Sequence, residues 1–379
     1  MINDHVYIHV PFCSGKCGYC GFYSEPYSMR DADRFLHALR REVGNAAHAA
    51  QGALRASTVY VGGGSPSALD ASQLASLLAI VRDRLDLDAL TEWTVECEPG
   101  TFNAEKARVL HAAGVNRISF GAQSFDERVL RLCGRRHSVA DVGAAFAAAR
   151  EAGIRNIGLD LIAGLPGFTP QSWPHDLAEA IGLGARHISV YTLSIEDNTP
   201  LAKATNEGRF QPPSTEEDLR RMSIAESVLG RAGYRRYEIS NFARPGATCR
   251  HNVAVWKGTD YLGFGPAAAS RIGRHRRTNL PDVAAYTAAL LDGRPPPCEE
   301  ERLSAPQDAC ERLGFAFRLD EPVRLDAYAS STELLQRWEN TLAEFARERL
   351  AAFDEKAGCW RLTPAGRNVA DRLAMELLE

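Results

Sequence analysis

The 379-residue sequence has no apolar run approaching the ~20 residues that span a bilayer, and no apolar signal core at its N-terminus. A cytoplasmic protein without a transmembrane segment is the expectation. It also lacks an excess of positive charge: 44 Lys and Arg stand against 48 Asp and Glu, for a net charge of −4. No global basic field advertises nucleic acid or an anionic membrane, and no nucleic-acid partner is expected. Paired, regularly spaced cysteines are missing too. Of nine cysteines, six are scattered at 97, 133, 249, 298, 310 and 359, which excludes a secreted disulfide framework and favours reduced thiols. Neither a Walker loop nor a G-x-G-x-x-G turn is present, so nucleotide phosphate is not indicated.

What is present is an alternation of strand and helix patterns over the first 240 residues. β-rich runs occur at "HVYIHV", "STVYVGGG", "EWTVECEP", "NRISFGAQS", "NIGLDLIAGLP", "HISVYTLSIE" and "RRYEIS", with helical patterns at 29–49, 70–85, 103–114, 138–153 and 216–233. Repeated βα units imply parallel strands with right-handed crossovers. About six units fit, short of the eight in a closed barrel, so the expected fold is α/β with a partial (β/α)6 barrel. Three stretches are expected: a core over 1–245, a connecting segment over 246–285, and a helical, winged-helix-like C-terminal domain over 286–379. The basic run "RIGRHRR" at 271–277 reads as solvated surface or as a patch that meets the carboxylates of an anionic ligand.

The remaining three cysteines, Cys13, Cys17 and Cys20, form a C-x3-C-x2-C group. Structural zinc wants four ligands, and a Cys3His set could be completed only by His5 or His9. A 4Fe–4S cluster suits three thiolates better, with one iron left open for a substrate or cofactor. Gly62, Gly63 and Gly64 end an apolar strand, where a backbone without Cβ can approach a ligand. Glu96, Gln123, Arg135 and Asp160 lie at or just after apolar strands, at the ends that face the active-site mouth of βα folds.

Together the stretches "YIHVPFCSGKCGYC", "GGGSP", "ECEPGT", "NRISFGAQSF", "GRRH", "DLIAGLP" and "YEISNFARPGATCRHN" resemble the radical SAM superfamily, in the branch of HemN and HemW. The resemblance runs from residue 7 to about 270, and "LTPAGRNVADRL" extends it to the C-terminal end. It implies that Cys13, Cys17 and Cys20 bind a 4Fe–4S cluster whose open iron takes S-adenosylmethionine (SAM). Tyr19 would pack beside the adenine. Tyr7, Gly63, Gly64, Ser65, Glu96, Gln123, Arg135, Asp160 and Ser194 would line one SAM, or the second SAM of the HemN-like branch. A sulfonium and an α-amino group want carboxylates nearby, and ribose hydroxyls want amide or carboxylate partners. Reductive cleavage of SAM to methionine and a deoxyadenosyl radical is the implied chemistry, fed by an electron donor such as flavodoxin or ferredoxin.

Within the branch, the porphyrinogen decarboxylase pattern has a further cysteine where this sequence has Phe22. The haem-handling pattern fits better, and it associates the stretch "HNVAVW" with haem, so His251 reads either as an axial or orienting haem ligand or as a buried histidine hydrogen-bonded to a neighbouring strand, and haem-accepting proteins are the expected partners. Val255 and Ala269 replace a tyrosine and a histidine of that pattern. The alternative is a HemN-like enzyme that methylates or cyclopropanates with two SAM molecules, in which small residues at 163, 255, 268 and 269 would enlarge the pocket.

Overall fold

The computed structural model describes residues 5–50, 52 and 54–378. Six parallel strands form the central sheet: β1 (His5–Val10), β2 (Thr58–Gly63), β3 (Glu92–Cys97), β4 (Arg117–Gln123), β5 (Asn156–Ala163) and β6 (His187–Thr192). Each pairs in parallel with its neighbour in chain order. Most of their apolar residues are buried, as parallel strands covered by helices require. The sheet does not close. Leu262–Phe264 pairs in parallel with β1 at one edge, and Asn241–Ala243 runs antiparallel to β6 at the other. The result is the partial (β/α)6 barrel.

Helices start and stop where local chemistry dictates. α1 (Met29–Ala49) buries Phe35, Leu36, Leu39 and Val43 on one face. Asp70 and Gln73 form a capping box at the start of α2 (Ala71–Arg84). α3 (Ala104–Ala113) ends on Gly114, whose φ of 104° is the left-handed conformation of a helix C-cap. α4 (Glu127–Leu132) is capped by Asp126, and α5 (Val139–Glu151) by the Ser138–Asp141 capping box. α6 (Ser172–Gly182) is not predicted by the pattern reading, because Trp173 and Pro174 open it; proline is tolerated there since the first turn has no intrahelical partner for its nitrogen. The run "RRYEIS" is not one strand. Only Arg235–Arg236 form a strand, Glu238 makes an isolated bridge to Leu319, and the chain then turns, with Ser240 N–H donating to Glu238 Oε1 at 2.8 Å, into the antiparallel strand.

A second core gathers Cys310, Leu313, Phe317, Leu334, Trp338, Leu342, Phe345, Leu373 and Leu377. Helix Ala305–Ala316, a bridge between Val323 and Trp360, helix Thr332–Arg347 and the hairpin Ala351–Asp354 with Cys359–Leu362 follow in the order of a winged helix. Helix Arg250–Trp256 joins the two cores: Trp256 lies 5.5 Å from the Phe315 ring and 4.6 Å from the Arg318 guanidinium. The basic run at 271–277 meets carboxylates of its own chain. Arg271 pairs with Asp308 and Glu311, Arg276 with Glu301 and Glu311, and Arg277 with Glu300.

Candidate functional site

At the C-terminal ends of the six strands lies a cavity of about 510 Å3. It is lined by Cys13, Cys17, Cys20, Tyr19, Gly63, Gly64, Ser65, Glu96, Gln123, Arg135, Asp160 and Ser194. Every residue expected at the site is therefore in its wall, apart from Tyr7 and His251. Tyr7 sits deeper in the barrel, stacked on Tyr60 at 6.2 Å, with its hydroxyl 3.3 Å from His9 Nδ1.

The cysteine loop follows β1 and is held from the side. Gly18 N–H donates to the Cys133 carbonyl at 3.0 Å, Ser14 Oγ donates to Glu98 Oε2 at 2.7 Å, and Arg135 Nη1 lies 3.4 Å from Cys17 Sγ. Burial raises the pKa of Cys13 and Cys20, and the neighbouring thiols add to it, so these groups must shed protons to bind metal. Among the described residues no three His, Cys, Asp or Glu side chains are close enough to hold one metal ion. Three thiols whose charges interact suit a multi-iron cluster, which takes three thiolates and leaves one iron open. His9 does not complete a zinc set: its Nε2 faces the Tyr23 carbonyl at 3.0 Å. His5 is at the opposite end of β1, with Nδ1 2.9 Å from Thr58 Oγ1.

The floor of the cavity is acidic. Glu96 accepts from Tyr60 OH at 2.6 Å and from Gly63 N–H at 3.3 Å, while Ser119 Oγ donates to Asp160 at 3.1 Å. Burial is the main force that pushes the Glu96 carboxyl up to about 7, with the Asp160 charge adding to it; Asp160 is also raised, by burial. Two carboxylates in a confined space favour a cationic ligand. At Gly62 a Cβ would fall 2.5 Å from Glu96 Oε2, so a side chain there would displace the carboxylate. At Gly64 a Cβ would meet the Phe12 carbonyl oxygen at 2.6 Å.

Gln123 adopts a left-handed φ of 67°, at an irregularity in the β4–β5 pairing. Its buried Oε1 has no hydrogen-bond partner, and neither does Arg135 Nε. An unsatisfied buried acceptor on the wall of a cavity is the signature of a missing donor, such as a ligand hydroxyl or amine. The residues present thus fit a cluster with a cationic, hydroxyl-bearing ligand.

His251 is not part of this assembly. It lies below the other end of the barrel, with Nδ1 2.9 Å from Thr58 Oγ1, at the first residue of β2. Glu92, at the first residue of β3, accepts from the N–H groups of Arg250 and His251 at 2.9 and 3.0 Å and so caps their helix. The ring is 5% exposed, and burial pushes its pKa down to about 3, which keeps it neutral. Ala163, Val255, Ala268 and Ala269 are not among the cavity-lining residues either, so their small size does not enlarge it.

The comparisons with known proteins agree with this geometry. The radical SAM superfamily model matches residues 7–180. A haem chaperone HemW of Bacillus subtilis is 38% identical over 287 residues, 76% of each chain. HemW of Mycobacterium tuberculosis H37Rv is 35% identical over 376 residues, 98% of this chain and 94% of that one. The chain belongs to the HemW family of radical SAM proteins. HemW membership implies a 4Fe–4S cluster, SAM and an electron donor. Among solved structures, the oxygen-independent coproporphyrinogen III oxidase HemN of Escherichia coli superposes with a TM-score of 0.84 at 25% identity, over 99% of this chain and 90% of that one.

Several residues around the HemW-type cavity have no signal in the sequence pattern. Tyr60, which holds Glu96, reads as one more apolar residue of a strand. Glu98 is overshadowed by Glu96, although its place before the turn Pro99–Thr101 aims it back at Ser14. Cys133 looks like a stray thiol, yet its carbonyl anchors the cysteine loop.

Proposed function

We propose that this chain binds haem or a closely related tetrapyrrole and passes it to acceptor proteins, with a 4Fe–4S cluster and one SAM in the cavity at the barrel mouth. The observation that carries the reading is likeness to haem chaperones through 98% of the chain, with Phe22 in place of a further cysteine. The cavity volume of about 510 Å3 supports it, since pockets for one small ligand span roughly 300–1,000 Å3 and a macrocycle beside SAM would need the upper end. The tetrapyrrole is then held outside the mouth, as suits a carrier.

The chain's own residues do the positioning. Cys13, Cys17 and Cys20 hold the cluster, which when loaded supplies the electron for reductive cleavage of SAM. Glu96 and Asp160 attract the cationic end of SAM, Gln123 Oε1 accepts from a hydroxyl, and Gly63 and Gly64 admit close approach of the ligand to the backbone. Tyr19 and Ile162, packed in a small apolar cluster with Leu165 and Leu193, keep water from that side.

The test is a haem titration followed by transfer to an apo haem protein. We expect a shifted Soret band and transfer of the haem, with no S-adenosylhomocysteine formed when SAM is added. No Soret shift would sink the carrier reading, and S-adenosylhomocysteine would favour a methylase. For His251→Ala we expect a loss of about 1–3 kcal/mol in denaturant unfolding without haem, because Thr58 and the aromatic contacts lose their partner. A Soret band altered by His251→Ala in a protein of unchanged stability would restore His251 as the iron ligand.

A further inference from the structure

Residues 128–136, "RVLRLCGRR", carry four arginines and no carboxylate in a chain whose net charge is −4. They form the last five residues of α4 and the loop that follows it. Val129 and Cys133 turn inward, onto a small apolar cluster that Tyr19 of the cysteine loop joins. Arg131, Leu132 and Arg136 are exposed, and Leu132 leaves 58% of its surface in water. Arg136 donates to the Ser14 carbonyl and lies over Gly15, where a Cβ would collide with its guanidinium. Lys16 is exposed beside it and donates to the Phe22 carbonyl at 2.6 Å. Among the described residues no carboxylate forms an ion pair with Lys16, Arg131 or Arg136, whereas Arg271, Arg276 and Arg277 of the other basic run pair with Asp308, Glu300, Glu301 and Glu311.

This patch lies directly over the loop that bears the three cysteines. The path inward from Leu132 is short: the peptide bond to Cys133, the 3.0 Å hydrogen bond from Gly18 N–H to the Cys133 carbonyl, and then Cys17. A second path runs from Arg136 through Arg135, whose Nη1 is 3.4 Å from Cys17 Sγ. An apolar centre with an unpaired cationic rim is complementary to an acidic partner.

We infer that Lys16, Arg131, Leu132 and Arg136 form the docking surface for an acidic one-electron carrier protein of the flavin or iron–sulfur class. The inference rests on the cluster assignment. One electron leaves the reduced carrier, which is oxidised by one, and enters the cluster, which is reduced by one; no bond forms or breaks and no proton moves. Carriers of this kind associate by electrostatic steering, so binding weakens as salt rises.

The experiment uses the reconstituted full chain and an acidic flavodoxin as the probe. Binding is measured by surface plasmon resonance, and cluster reduction is followed with reduced flavodoxin and, separately, with dithionite. We expect Arg131→Glu combined with Leu132→Ser to weaken binding and slow carrier-driven reduction by roughly tenfold. Iron content and the dithionite rate should match wild type, because dithionite needs no docking surface. Arg155→Glu, an exposed arginine beside the first residue of β5 at the opposite end of the barrel, should behave as wild type. Arg131→Glu alone, at a side chain that makes no hydrogen bond or ion pair among the described residues, repeats the test should the double variant load poorly.

The inference is overturned if the variant binds and is reduced like wild type, or if Arg155→Glu loses as much. A wild-type chain that takes up no iron would instead overturn the cluster assignment, so the two failures are told apart.

Discussion

Anaerobic reconstitution should load the wild-type chain with about four irons and leave Cys17→Ala with less than about one. The expectation follows from the ligand count. With a thiolate gone, only Cys13 and Cys20 of the three remain to hold the cluster, and the nearby carboxylates Glu96 and Glu98 are engaged by Tyr60 and Ser14. The fold should survive the change. Arg135, which faces Cys17 Sγ, keeps its hydrogen bonds to the Gly121 carbonyl at 2.6 Å and to His137 Nδ1 at 3.2 Å. The loop itself stays tied by Gly18 and Ser14. Unchanged circular dichroism beside lost iron would therefore report the ligand and not unfolding. Cys310→Ala, in the second core and remote from the cavity, should keep all its iron. A Cys17→Ala protein with full iron content would contradict the assignment.

Glu96→Gln should move stability and binding in opposite directions. In the free protein the Glu96 carboxyl is raised from 4.5 to about 7, chiefly by burial. Between those two values the unfolded chain is ionised while the folded one keeps its proton. Stability therefore falls as pH rises through that window and levels off above about 7. Glutamine removes this penalty and can still accept from Tyr60 OH. After discounting for water in the cavity, we expect the variant to be more stable by about 1–3 kcal/mol at pH 8, and unchanged near pH 4.5.

Binding runs the other way, because a cationic ligand selects the ionised carboxylate. Wild-type affinity for SAM should rise with pH up to about 7 and then plateau. The variant should bind at least roughly tenfold more weakly, with no such rise, since a charge-assisted contact is worth about 1.5–3 kcal/mol. Equilibrium dialysis with labelled SAM and denaturant melts at pH 5 and pH 8 measure both effects. Equal SAM affinity in the two proteins would place the cation elsewhere.

Much of this architecture is legible in the sequence because each βα unit announces itself locally. Apolar runs ending in Gly63, Glu96 and Gln123 mark strand ends, and in a parallel barrel all such ends share one mouth. That rule, joined to the cysteine spacing, brings together residues as far apart in the chain as Cys13 and Ser194. What stayed hidden depends on direction and depth. The "RRYEIS" run has strand composition, but the turn at Glu238–Ser240 reverses the chain, and propensity carries no sign of that reversal. His251 illustrates the matter of depth. Its residue type suggests a ligand, while only the three-dimensional fold reveals that Thr58 and Glu92 engage its ring and its backbone from the ends of two strands remote in sequence. The paired charges of 271–277 were similarly invisible until Glu300, Glu301 and Glu311 came alongside.

The most direct check on a SAM-binding 4Fe–4S cluster held by Cys13, Cys17 and Cys20 in this cavity is electron paramagnetic resonance of the reduced, reconstituted protein with and without SAM. We expect a 4Fe–4S signal that shifts on adding SAM in the wild type and shifts far less in Glu96→Gln at equal SAM. Identical wild-type spectra with and without saturating SAM would contradict the open-iron site.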